Sequence, residues 1–190
     1  MPVSLLRTLL LSFVLVLALA STAHAAVPGS PGPTSTGSLD INLIMGLNVR
    51  ISGLNDLPLG TWSGSGDVAG DDDLCIGRTG IGFFGSGLYR ILATGDGRPG
   101  NPAAFTLSNG ATQIEYEAFF NDQTGVVGRQ PLVPGAALTS QSGFGGWFAL
   151  NYLFGCAVQN ANISVVIRDS VLRGAAGPYS GTLTLVLIPE

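Results

Sequence analysis

The chain is predicted to be all-β, a Greek-key β-sandwich, and three observations predict it. Seven apolar side chains fall on every second residue from Leu39 to Ile51, and period two marks a strand with one buried face. Further strand-like segments recur along the chain with turn residues between them, and no segment reads convincingly as a helix. Glycine is abundant at 28 residues while charged residues make up 11%, which suits a β-protein with many tight turns.

Taken in order, residues 1–25 read as a secretory signal peptide. Arg7 gives a positive start, Leu9 to Ala20 is almost wholly apolar, and Ala23-His24-Ala25 has the small-x-small form of a cleavage site. The apolar run is shorter than the roughly 20 residues of a membrane span. Removal is therefore expected, and no span is expected after it. Residues 26–38 hold three prolines and no apolar pattern, and read as a flexible leader. Residues 39–190 then form one β-sandwich domain, whose opening segment, 39–46, has a special role.

The alternation from Leu39 to Ile51 runs over thirteen residues, whereas ordinary strands run about 5–6. A strand that outruns its own domain can add itself to another chain's sheet. Leu39, Ile41, Leu43 and Met45 are the expected donor knobs. Near Gly46 the chain passes into its own first strand through Leu47, Val49 and Ile51, because glycine tolerates the bend between two sheets.

Beyond it, Leu59 to Trp62 reads as a brief extended segment and Ser63 to Asp73 as a glycine- and aspartate-rich loop. Leu74 to Ile76 is a short strand and Leu88 to Ala93 a longer one, ending at Asp96-Gly97. Asn109-Gly110 is the strongest hairpin signal in the chain. From Ile114 to Phe120, apolar Ile114, Tyr116, Ala118 and Phe120 alternate with Glu115 and Glu117, giving one dry and one wet face. Leu132 to Leu138 reads as edge or loop, Trp147 to Phe154 as an apolar run, and Ile163, Val165 and Ile167 as another strand. The last strand is expected from Thr182 to Ile188, after a turn at Pro178 to Gly181.

Composition excludes several chemistries. Removing the signal peptide removes His24, the only histidine, and the chain has no lysine. The commonest general base, the commonest metal ligand and any Schiff-base amine are then missing. No enzyme is expected, and no cofactor. Net charge is −4, so nucleic acid is not an expected partner. Asp67 with Asp71, Asp72 and Asp73 is an oxygen-rich cluster, but its spacing matches no calcium loop, and a solvated loop is the plainer reading. Glu115 and Glu117 could pair for glycoside chemistry, yet their alternation reads as a sheet surface. Trp62, Trp147 and Tyr152 read as core filling rather than sugar stacking. The Asn162-Ile163-Ser164 sequon lies inside an expected strand. Cys75 and Cys156, an even pair in an exported chain, most simply form one disulfide.

The two ends together resemble a known family. A Gly-Ser leader runs into LDINLIMGLNVRI, a short L-x-L-G element stands at Leu57 to Gly60, and the chain closes with GPYSGTLTLVLIPE from Gly177. This resembles the secreted pilin subunits of the archaic chaperone–usher class, grouped with spore coat protein U-like domains. Ala176, Gly177, Tyr179, Thr182, Leu183, Leu185 and Leu187 stand in the places of that family's closing motif. The resemblance implies an immunoglobulin-like sandwich lacking one strand. A periplasmic chaperone lends a strand to the open groove. At the outer-membrane usher, the N-terminal strand of another copy or a sibling pilin replaces it. Tyr179, Leu183, Leu185 and Leu187 would then border the groove, in transit through the periplasm and afterwards in a cell-surface fibre. Two features depart from the pattern: no cysteine follows the donor segment, and Pro189-Glu190 closes the chain. The alternative is a self-complete, monomeric secreted β-sandwich that binds carbohydrate or protein.

Overall fold

The computed structural model describes residues 30–36, 43, 46–80 and 86–190. The chain divides into two units, Met1–Ile44 and Met45–Glu190. In the first, residues 30–36 are exposed throughout and form neither strand nor helix. The expected signal peptide and three of the four expected donor knobs, Leu39, Ile41 and Met45, lie outside the described residues.

The second unit is all-β apart from two short helices. Its strands are β1 (Val49–Ser52), β2 (Val68–Arg78), β3 (Ser86–Thr94), β4 (Thr106–Ser108), β5 (Gln113–Glu115), β6 (Glu117–Asn121), β7 (Gln130–Pro131), β8 (Ala137–Phe144), β9 (Ala161–Ile167) and β10 (Thr184–Pro189). Helix α1 spans Gly145–Phe154 and α2 spans Asp169–Leu172. One sheet has the order β1-β2-β9-β6-β7 and the other β10-β3-β8, while β4 and β5 form a hairpin of their own. Every pairing is antiparallel.

Two faces close on one core. Leu74 and Ile76 of β2, Phe120 of β6 and Ile163, Val165 and Ile167 of β9 meet Tyr89, Ile91 and Ala93 of β3. Tyr89 stands edge-on to both Phe120 and Phe148, with ring centroids 6.3 and 5.8 Å apart. The order β1-β2-β9-β6 is that of strands A-B-E-D in an immunoglobulin sandwich, and β10-β3 is its F-C pair. Among the described residues no strand lies outside β10, where the last strand of a complete sandwich would pair.

The alternation from Ile114 to Phe120 holds: its apolar residues are buried and Glu115 and Glu117 are exposed. The chain nonetheless changes partners at Tyr116, from β4 to β9. Four expectations are corrected. The first strand is shorter than the alternation, since β1 begins at Val49 and Leu47 is outside it. Asp71, Asp72 and Asp73 lie in β2, paired with β9, and not in a loop. Their carboxylates have donors there. Asn162 Nδ2 bonds Asp71 and Asp73 at 3.1 and 2.8 Å, and Gly125 N bonds Asp73 at 2.7 Å.

The run Trp147 to Phe154 forms helix α1. Phe148 and Asn151 face inward three residues apart, and Asn151 caps the end of β2 by donating to the Ile76 carbonyl at 3.2 Å. Gly77 lets the helix approach, because a Cβ there would sit 2.3 Å from Tyr152 N. Finally, the last strand starts at Thr184, so Tyr179 and Leu183 precede it. Cys75 and Cys156 form a disulfide that ties the buried middle of the first sheet to the exposed segment after α1.

Candidate functional site

The segment after β1 is irregular, from Gly53 to Trp62, yet Leu57, Leu59 and Trp62 pack against the core. It runs as one lip of a groove of about 360 Å³. Leu54, Leu57 and Leu59 line that lip, and Leu183 and Leu185 line the opposite one. The floor is Ile163 and Val165 of β9 with Leu107 and Tyr116. Apolar side chains thus make up most of the lining, with Asn55, Asp56 and Thr182 as its polar members.

Each lip is pinned by an aspartate. Asp72 accepts from the backbone N–H of Asn55 at 2.8 Å and from its side-chain amide at 3.0 Å. Asp96 accepts from Thr182 N at 2.9 Å. Beside Thr182, Gly181 allows close contact with the hairpin, where a Cβ would lie 2.6 Å from the Thr106 carbonyl. Burial pushes the Tyr116 phenol up to about 12, helped by the Asp96 charge, so the floor carries no ionised group at neutral pH.

The outer lip continues as an open backbone edge. Glu190 N donates to Leu88 O at 2.9 Å, which extends the β10–β3 pairing by one residue. Hydrogen-bonded pairs alternate in antiparallel sheets, so Thr184, Val186 and Ile188 also turn their N–H and C=O groups toward β3. Leu185 and Leu187 therefore present theirs to the other side, where no strand among the described residues pairs with β10. The same two residues point their side chains inward, half-buried against the core. A strand laid along this edge would gain backbone bonds from one side of β10 and bury its own apolar face in the groove.

Of the residues expected from sequence, Leu183 and Leu185 line the groove, and Leu187 packs on the core just beyond it. Tyr179 does not line it; its hydroxyl lies 2.7 Å from the Thr112 hydroxyl, on the hairpin. Leu43 is 81% exposed. The opposite lip, Leu54 to Leu59, was not anticipated. Its L-x-L spacing, Leu57 and Leu59, is the signal that marks it.

The paired-glutamate idea meets a simple geometry. Glu117 and Asp67 both bind Arg168, Glu117 through two nitrogens, with Asp67 at 2.9 Å. Glu115 pairs with Arg98. Among the described residues no three histidine, cysteine, aspartate or glutamate side chains are gathered to hold a metal, and no helix is long and apolar enough to cross a membrane. A backbone N–H from Asp169 and the Arg168 guanidinium hold Asp67 below its ordinary value of 3.8. Arg168 likewise holds Glu117 below 4.5. Both folded values are depressed, so the stability these carboxylates add is present above the ordinary values and is lost as pH falls through the folded ones. All three groups are solvent-exposed, so the effect is small. Urea midpoints measured from pH 6 down to pH 2 should fall less steeply in Arg168→Gln than in wild type.

No protein-family model matches the sequence, and no curated protein matches it. Among solved structures, the chain is similar to one from a chaperone–tip adhesin complex described as vital for synergistic activation of CFA/I fimbriae biogenesis. The two share 14% identity and a TM-score of 0.50. The match covers 75% of this chain and 43% of the other, so the chain spans less than half of that protein's length. The likeness is one of fold alone.

Proposed function

We propose that the mature chain is a structural subunit of a secreted surface fibre, assembled by donor-strand exchange through a periplasmic chaperone and an outer-membrane usher. Its neighbours in the fibre are copies of itself or sibling pilins, and it has no catalytic role. One observation carries the reading. An apolar groove runs beside the unpaired edge of β10 in a chain whose own N-terminal segment alternates Leu39, Ile41, Leu43 and Met45. The groove needs a strand with one apolar face, and the alternation in this segment's sequence is the pattern of such a strand. Signal-peptide removal after residue 25 is part of the same reading, since the fibre is exported.

A subunit lacking residues 26–45 has the groove but no strand to donate. A synthetic peptide of residues 38–48 should bind it and raise its melting temperature as peptide concentration rises. The same peptide with Ile41→Asp should not, whereas Asn42→Asp, on the opposite face, should bind as the parent does. Assembly of surface fibres by the deleted subunit would overturn the reading. A second reading has its own support, because Leu57, Leu59 and Trp62 already fill part of the core beside the groove. A stable, fully protected monomer of the whole mature chain would favour that self-complete binding domain.

A further inference from the structure

Helix α1 buries Phe148 and Asn151 but leaves Leu153 67% and Phe154 74% exposed, with Trp147 43% exposed. Large apolar side chains grouped in this way on one short element mark an interaction surface more often than scattered ones do. The helix closes one end of the sandwich. Its Tyr152 carbonyl accepts from Arg50 Nη1 of β1 at 3.2 Å, which ties the end of the helix to β1. The chain enters the domain just before β1. Asn48 is held by a pair of bonds to Thr79, both 2.9 Å, and Leu47 beside it is 45% exposed.

We infer that the exposed end of α1, Leu153 and Phe154, is the seat for the body of the next copy of this chain, the one that accepts the donor strand. The inference rests on the donor-strand reading above. Covalent geometry supplies the occupant. If the segment ending at Met45 lies in another copy's groove, only Gly46 and Leu47 separate it from Asn48, three residue steps along the chain. Three residues span at most about 10–11 Å. A folded body so close to Asn48 must stand against the surface about β1, to which the helix end carrying Leu153 and Phe154 is tied through Arg50. The contact would fix the angle between successive subunits, which the donor strand alone leaves to a glycine at position 46.

Hydroxyl-radical footprinting tests this on full-length protein, comparing the chaperone-bound subunit with assembled fibres. Leu153 and Phe154 should be labelled in the chaperone complex, and in fibres their labelling should drop to the level of buried Phe148. Fibres that form only when residues 26–45 are present, yet leave Leu153 and Phe154 labelled as before, would overturn the inference and leave the donor-strand reading standing. Protection already complete in the chaperone complex would also overturn it, since the patch would then be the chaperone's. If no fibres form, or if they form without residues 26–45, the donor-strand reading fails and this inference with it. The double variant Leu153→Ser with Phe154→Ser gives an independent check. It should still take up the 38–48 peptide, but its fibres should dissociate at a lower denaturant concentration than wild type.

Discussion

Replacing Cys75 and Cys156 with serine is expected to destabilise the domain by about 4–5 kcal/mol, a large fraction of the roughly 5–15 kcal/mol that holds a domain together. The bridge joins residues 81 apart, and closing so long a loop in the unfolded chain removes much of its freedom. The loop it closes contains β3, β6 and β8, so it spans both sheets. Cys75 is fully buried in β2 while Cys156 is exposed. A serine hydroxyl at 75 adds a second cost, as it would be left in an apolar site. Denaturant unfolding of the native protein with and without reductant measures the effect. Reduction should lower the midpoint sharply, and the double serine variant should fall somewhat below the reduced protein by the cost of the buried hydroxyl. Equal midpoints would mean that the second unit is held without the bridge.

What the sequence makes legible here is which residues face inward, and what it hides is which inward faces meet. Ile114 to Phe120 shows the first clearly. Four apolar residues at period two are all buried, because a pleated strand puts alternate side chains on one face whatever its partner. The change of partner at Tyr116 leaves no mark on that pattern. The aspartates of β2 show a different limit. Asp is depleted in strands because it competes for backbone bonds, so Asp71 to Asp73 read as loop. In the fold, donors supplied by Asn55, Gly125 and Asn162, all distant in sequence, make the strand tolerable.

Trp147 to Phe154 fails for yet another reason. A run with Asn151 as its single polar residue shows neither a period of 2 nor of 3.6, so a buried strand and a helix look alike. What decides for the helix is the fit of Asn151 beneath the end of β2 and the space left by Gly77. The groove was half legible. Its outer lip, Leu183 and Leu185, falls on the apolar alternation of the closing motif, Leu183, Leu185 and Leu187. The inner lip, Leu57 and Leu59, lies in irregular chain more than a hundred residues earlier, and only the fold brings the two together.

Charging the groove while leaving the donor segment intact should produce a subunit that can donate a strand but not accept one. Leu183→Asp is the variant of choice, because Leu183 lines the groove, is only partly buried and precedes β10. In the empty groove a carboxylate there stays hydrated, so the subunit should fold. Once a strand covers the groove, the carboxylate loses water without gaining a partner, and the strand gives up part of the roughly 1.5–3 kcal/mol that each buried aliphatic knob contributes. Alone, the variant should form no fibres. Mixed with wild type, it should still end a growing chain by donating into the last wild-type groove, so fibre length should fall steeply with its fraction. Ile41→Asp should behave in the opposite sense, accepting a strand but donating none. When the two variants are mixed without wild type, each Leu183→Asp strand has an Ile41→Asp groove to enter and no further link is possible. Size-exclusion chromatography should then show heterodimers and nothing longer. Long fibres from that mixture, or full-length fibres from either variant alone, would show that the groove and the segment from Leu39 to Met45 are not partners.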